Sequence, residues 1–207
     1  MSDDAGEHDQ LVDFAPLVER AAAIDAATLV RLSGQDGRIG AYARLPYDVI
    51  AGATIAVPGC GRFDTTFLAA DLLRWIDDGG PRPPHHDVRW LSPLPPREGW
   101  RRVETVPGSV VRELVSSGAS LARAVPTTVA HKSLLGSVVL TASSGDRSVD
   151  VPLAALSALT RMGFLPRDSH AAIDVAPGWL RVAATYGSSY LATANALGLS
   201  AVTAVNR

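Results

Sequence analysis

The sequence contains one cysteine, and its surroundings are the sharpest chemical feature of the chain. Cys60 stands in Pro58-Gly59-Cys60-Gly61-Arg62-Phe63-Asp64, ahead of an apolar run at helical spacing. A glycine-flanked thiol at a helix N-terminus, beside the Arg62 guanidinium, is expected to be reactive, and free backbone N–H groups there can cradle a small anion. Asp64 opposes the second use, because its carboxylate already neutralises the helix end. The plainer expectation is a small, half-buried hydrophobe in a glycine turn.

His85-His86-Asp87 is the second candidate. Imidazole and carboxylate ligate metals, but adjacent histidines in an extended chain point to opposite sides, and no His-Glu-x-x-His accompanies them. His131 and His170 stand alone. Gly108-Ser109 and Gly187-Ser188-Ser189 do not match Gly-x-Ser-x-Gly, so nucleophilic serine chemistry has no motif. No Gly-x-Gly-x-x-Gly follows a strand and no Walker A sequence is present, so the expectation is no cofactor and no metal. The third candidate is a predicted helix ending at Arg161 and Arg167, followed by a hairpin. With Arg147 and Arg181 these arginines are expected to line one helix–hairpin face, as in a winged helix on nucleic acid. The segment before that helix reads as strands, where a winged helix needs a helix-turn-helix. Trp90 and Trp100 are expected to anchor a loop or, where exposed, to concentrate binding energy at a protein interface.

The elements that position these residues follow from periodicity and turn chemistry. Residues 10–24 read as a short amphipathic helix with Pro16 in its middle. Residues 28–45 read as a hairpin around Asp36-Gly37, a dipeptide suited to positive φ. A helical turn at 46–51 and a strand at 54–57 follow. Asp64 or Thr65 is expected to cap a helix over about 65–77, which Gly79-Gly80 stops. Residues 79–99 carry Pro81, Pro83, Pro84, Pro93, Pro95 and Pro96, which excludes a helix or an inner strand and predicts a long connection. A helix is expected from Pro107-Gly108-Ser109 to about Ala124. A hairpin over 137–151, a helix from Pro152 to Gly163, and a hairpin across Pro177-Gly178 complete the pattern, with Tyr186–Leu191 continuing its second strand. Residues 28–52 and 137–165 share an order of strand, turn, strand, proline and apolar turn, the pattern of a repeated unit.

Hairpins alternating with single helices predict α+β architecture with a mainly antiparallel sheet, built of two related strand-turn-strand-helix units. The expected organisation is a disordered 1–9, one domain over 10–191 with halves 10–78 and 100–191 joined by the 79–99 loop, and a weakly ordered 192–207. The 207 residues are 47% hydrophobic, enough to bury a core. One cysteine allows no internal disulfide, the N-terminus is polar and acidic, and no run of about 18 apolar residues exists, which together predict a cytoplasmic protein off the membrane. A net charge of −2 removes a general attraction for nucleic acid. Lys132 is the one lysine against many arginines, the usage of a high-GC genome.

Gly99–Pro107, Ser157–Arg167 and Tyr186–Leu191 resemble the corresponding stretches of an uncharacterised actinobacterial protein family of about this length. The resemblance implies a cytoplasmic protein from a high-GC bacterium and carries over no activity, cofactor or site residue. The expected function is therefore non-catalytic binding or regulation through a protein surface, with itself or another protein as partner. The alternatives are a small enzyme with a site near Cys60 or the 81–100 loop, and nucleic-acid binding through the arginine face.

Overall fold

The computed structural model describes residues 11–124, 128–145 and 147–193. The expectations for residues 1–9 and for the tail beyond 193 lie outside them. The chain opens with a 3-10 turn, Val12–Phe14, running into helix α1, Ala15–Ile24. Pro16 falls in the first turn of α1 and not in its middle, where its missing N–H costs no hydrogen bond. Strands β1 (Leu29–Gln35) and β2 (Arg38–Arg44) form the expected hairpin, and Asp36 and Gly37 take φ of 53° and 68° in its turn. That pair of positive angles matches the twist of the flanking strands.

Strand β3 (Val49–Ala56) starts five residues earlier than the 54–57 segment, directly after a 3-10 turn at Pro46–Asp48. The largest departure follows it. Residues 63–68 form strand β4 (Phe63–Leu68), and helix α2 spans Ala69–Asp78. The predicted helix start at Asp64 or Thr65 is wrong because Phe63 to Leu68 is an aromatic and β-branched run, and β1 offers it a free edge. Asp64 pairs opposite Ser33, and Leu68 opposite Leu29. Beyond the connection come β5 (Arg101–Pro107), α3 (Gly108–Ala124), α4 (Thr128–Gly136), β6 (Val138–Ser144), β7 (Arg147–Pro152), α5 (Leu153–Arg161), β8 (His170–Ala176), β9 (Trp179–Ala184) and β10 (Gly187–Ala192). Gly163, at φ 65°, closes α5 as expected, and the Phe164 N–H reaches the Leu159 carbonyl at 3.1 Å. β10 turns back antiparallel on β9 and does not continue it.

Eight strands form one sheet in the order β4-β1-β2-β3-β10-β9-β8-β5, and every recorded pairing is antiparallel. The order is palindromic about the β3–β10 seam. On each side a helix leads into a three-strand meander (α1-β1-β2-β3, α5-β8-β9-β10), and an outer strand carries a second helix (β4-α2, β5-α3). The related segments are thus 15–56 and 153–192. The echo at 137–165 is a different thing: β6 and β7 form their own two-stranded sheet. A Gly/Asp hairpin turn looks the same wherever it occurs.

The helices cover one face of the sheet. Val30, Leu32, Ile39, Ala41, Ala51, Phe67, Leu180 and Val182 project into a large core with Val18, Leu72, Val111, Leu156 and Leu159. Helix α5 is buried on nearly all sides, and the Ser189 hydroxyl of β10 donates to its Ala155 carbonyl at 2.8 Å. α3 lies close against α5 because Gly118 has no side chain; a Cβ there would meet Leu153 at 2.5 Å. The opposite face carries the alternate residues of the same strands, and the proline-rich connection crosses it.

Candidate functional site: the outer face of the sheet

The connection is tied down at three places. At the β4 edge, His86 N–H donates to the Thr66 carbonyl at 2.7 Å, and the Asp87 carboxylate accepts from Thr66 N–H at 2.6 Å. This occupies the outward backbone groups of Thr66 on an edge strand, groups that otherwise template aggregation. Over β1, Trp90 is buried, with the Arg31 guanidinium 5.9 Å from its ring centroid and its indole N–H donating to the Ser92 carbonyl at 2.6 Å. At the end of β1, Arg97 donates to the carbonyls of Gln35 and Ser33, both at 3.2 Å, and Trp100 then settles against Tyr190. Trp90, Leu94 and Trp100 pack with Leu29, Tyr42, Ile50, Ala176, Trp179 and Tyr190 in a second, smaller core.

Two ion pairs brace this face. Arg31 holds Asp64 through two contacts of 2.6 Å, and that hydrogen bond, ahead of the opposing effect of burial, raises the guanidinium pKa. Asp174 is 1% exposed; its carboxylate accepts from Arg102 Nε at 2.5 Å and from Arg181 Nε and Nη2 at 3.0 and 2.7 Å. The Arg181 guanidinium lies 4.4 Å from the Trp100 ring centroid. A carboxylate removed from water needs this degree of satisfaction.

Beside the connection lies a groove of about 570 Å³. Its floor is β2, β3 and β10, and its walls are Pro96–Trp100, the β1–β2 turn and the β9–β10 turn. Tyr42 lies flat across the floor because its neighbours are glycines: a Cβ on Gly40 or Gly52 would come within 2.7 Å of the Tyr42 ring. Tyr42, Trp100, Tyr186 and Tyr190 supply the aromatic lining, Arg38, Arg97 and Arg181 the cations, and Asp36 and Glu98 the acids. Tyr186 is 65% exposed. Burial pushes the Tyr190 phenol pKa up, against a smaller lowering by Ser188 and Arg181. The lining contains no His and no Cys among the described residues. Elsewhere on the connection, Val88 and Leu91 are 89% and 82% exposed.

Trp90 and Trp100 thus belong to this face. Cys60 is half-buried beside Gly34, and its thiol donates to the Gly61 carbonyl at 3.2 Å. It precedes a strand, so the helix-terminus argument for a reactive thiol falls. Arg62 is exposed next to it. His85 is exposed with its ring 5.5 Å from that of Phe67, and His86 Nε2 is shut off from solvent without a hydrogen-bond partner. Cys60 neighbours the Phe63 end of β4 and the histidines the Thr66–Phe67 end, roughly 10–13 Å apart at the rise of a strand. They form no thiol–imidazole pair. Among the described residues no three His, Cys, Asp or Glu side chains are placed to hold a metal ion. Arg161 is on the helix side, in a small cleft with Ile24, Leu135 and Ala158, while Arg181 is on the outer face. The backbone carbonyl of Arg167 accepts from Arg112. The predicted single arginine face therefore does not form: β8 and β9 are inner strands of the sheet, and side chains alternate across it.

The groove escaped sequence reasoning because β2, β3 and β10 meet only in the folded chain. The usable signal was Trp100 and Tyr186–Tyr190, aromatic residues beside glycine and proline.

Residues 2–90 match the model of a domain of unknown function (DUF8010), and residues 95–196 match that of a second (DUF8185). No curated protein matches the sequence. Among solved structures the chain is similar to the DNA polymerase sliding clamp of Bacillus subtilis, at 13% identity and a TM-score of 0.60, covering 97% of this chain and 66% of that one. It is also similar to the beta subunit from DNA polymerase of Streptococcus pyogenes (11% identity, TM-score 0.57, 86% and 62% covered) and to the DNA polymerase III beta subunit of Thermotoga maritima (9%, 0.57, 89% and 62%). At these identities the likeness shows the fold. The chain spans less than two thirds of the length of the clamps it matches. No helix among the described residues is long and apolar enough to cross a membrane.

Proposed function

We propose that the protein is a non-catalytic interaction module whose binding surface is the outer face of the sheet. The observation that carries this is the groove: about 570 Å³ of concave surface with aromatic and guanidinium lining, the residue types that concentrate binding energy at protein interfaces. Val88 and Leu91, held outward on a turn anchored by Asp87 and Trp90, add exposed apolar side chains elsewhere on the connection. The sliding-clamp fold supports the reading, since such clamps are subunits of DNA polymerase by name. Exposed residues of α1 and α2 include Glu19, Asp77 and Asp78 against Arg20 and Arg74, so these two helices offer a polyanion no net attraction. The partner is another protein or a second copy of this chain, in the cytoplasm of a high-GC, actinobacterial cell. The test is photo-crosslinking in the source cell. A crosslinker at Tyr186 traps a discrete protein adduct, and one at Glu19 does not. Equal trapping at both positions, or none at Tyr186, overturns the proposal.

A further inference from the structure

The outer face already carries a proline-rich segment: the protein's own Ser92-Pro93-Leu94-Pro95-Pro96. The segment runs without helix or strand pairing, yet it is tightly held. Pro95 is buried and Leu94 packs with the Tyr42 and Tyr190 cluster. The two tryptophans treat its carbonyls alike. Trp90 donates its indole N–H to Ser92, and Trp100 donates its own to Pro96 at 2.9 Å. This is the complement a proline-rich strand requires. Such a strand is stiff and extended, lacks N–H groups at its prolines, and offers rings and bare carbonyls to aromatic faces and side-chain donors.

The same surface continues past Pro96 into the groove, where Tyr42, Tyr186 and Tyr190 stand beside Trp100. Crossing from β2 to β9 covers three interstrand spacings, roughly 14 Å, the length of four to five residues of polyproline II chain. We infer that the groove docks an extended proline-rich segment of a partner protein, held as the protein holds its own Pro93–Pro96. Tyr186 is the open aromatic wall, and Gly40 and Gly52 keep the floor flat by leaving room for the Tyr42 ring. The stiffness of such a ligand lowers the entropy lost on binding, which suits a shallow, rigid groove. This inference rests on the proposed function, with the outer face as the interacting face.

The experiment is titration of the isotope-labelled full chain with decaproline, with a peptide of residues 92–97, and with an alanine peptide of equal length. The readouts are the amide resonances of Gly40, Gly52 and Ser188 and the Trp100 indole N–H. Saturable shifts at these positions are expected with both proline peptides at millimolar concentration and not with the alanine peptide. Tyr186→Ala is expected to weaken binding by about five- to tenfold with an unchanged melting temperature, because the side chain stands mostly in water. No shift at the groove, or an equal response to the alanine peptide, overturns the inference. Should the proline peptides be silent while the crosslinker at Tyr186 still traps a protein, the ligand class falls and the interaction face stands. Failure of both removes both.

Discussion

Replacing Asp174 by alanine measures how far the outer face depends on one buried charge. The carboxylate is 1% exposed and accepts three hydrogen bonds from two arginines on either side of β8. Removing one partner of a buried ion pair costs about 3–5 kcal/mol, because the surviving charge is left without compensation. Here the survivors retain some water: the side chains of Arg102 and Arg181 are 55% and 23% exposed. The expected loss is therefore smaller, about 2–3 kcal/mol, since solvent screens what the carboxylate no longer does. For a chain of this size that corresponds to a melting point lower by roughly 4–12 °C. Asp174→Asn keeps one acceptor and loses the charge, and falls between parent and alanine variant. Urea unfolding with an unchanged m-value is the assay. Adding Arg181→Met to Asp174→Ala then recovers about 1 kcal/mol, because the stranded guanidinium is gone, a gain partly offset by its lost contact with the Trp100 ring. An alanine variant within about 0.5 kcal/mol of the parent, or an additive double variant, refutes the reasoning.

Four further outcomes follow from other contacts. Gly118→Ala improves helix propensity yet destabilises by about 1–3 kcal/mol in urea unfolding, because its Cβ meets Leu153 at 2.5 Å and α3 must move off α5. Gly52→Ala displaces the Tyr42 ring from the groove floor, so the near-ultraviolet dichroism of the tyrosines changes along with a loss of about 1–3 kcal/mol. Tyr190 titrates above the ordinary 10.0, so its contribution to stability is complete below that pH. As pH rises further the unfolded chain releases the phenolic proton first, and stability falls; Tyr190→Phe makes that alkaline decline shallower in pH-dependent melting. Val88→Ser with Leu91→Ser leaves the unfolding free energy within about 0.5 kcal/mol, since both side chains stand in water, and reduces crosslinking at Tyr186.

Much of the local structure was legible in the sequence because local chemistry determines it. Asp36-Gly37 demands a tight hairpin turn, Gly163 a helix stop, and the prolines of 81–96 a connection outside helix and sheet. What was illegible depends on partners distant in sequence. Phe63–Leu68 has enough helical spacing downstream to pass for the start of α2, and only the open edge of β1 makes it a strand. Turn chemistry alone relates two hairpins with similar turns, whereas the relation in the folded chain is one of sheet order. The candidate site divided in the same way. Trp90 and Trp100 were recognisable as anchors from their place between prolines. The groove they help to form needs β10 beside β3, and Ser188 faces Gly52 across 135 intervening residues. Cys60 lost its helix-terminus argument when the element after it proved to be a strand.

The β3–β10 seam also governs the order in which the protein can be made. The last described strand is the centre of the sheet, so the meander β1-β2-β3 emerges from the ribosome with one long edge open. At ordinary elongation rates roughly 7–27 s separate the completion of β3 from that of β10. Throughout that interval Val49 to Gly52 presents unpaired backbone groups, and only the final strand of the sheet covers them. A nascent chain stalled or truncated after β9 leaves the β3 edge uncovered, and that edge is where it recruits a chaperone or aggregates.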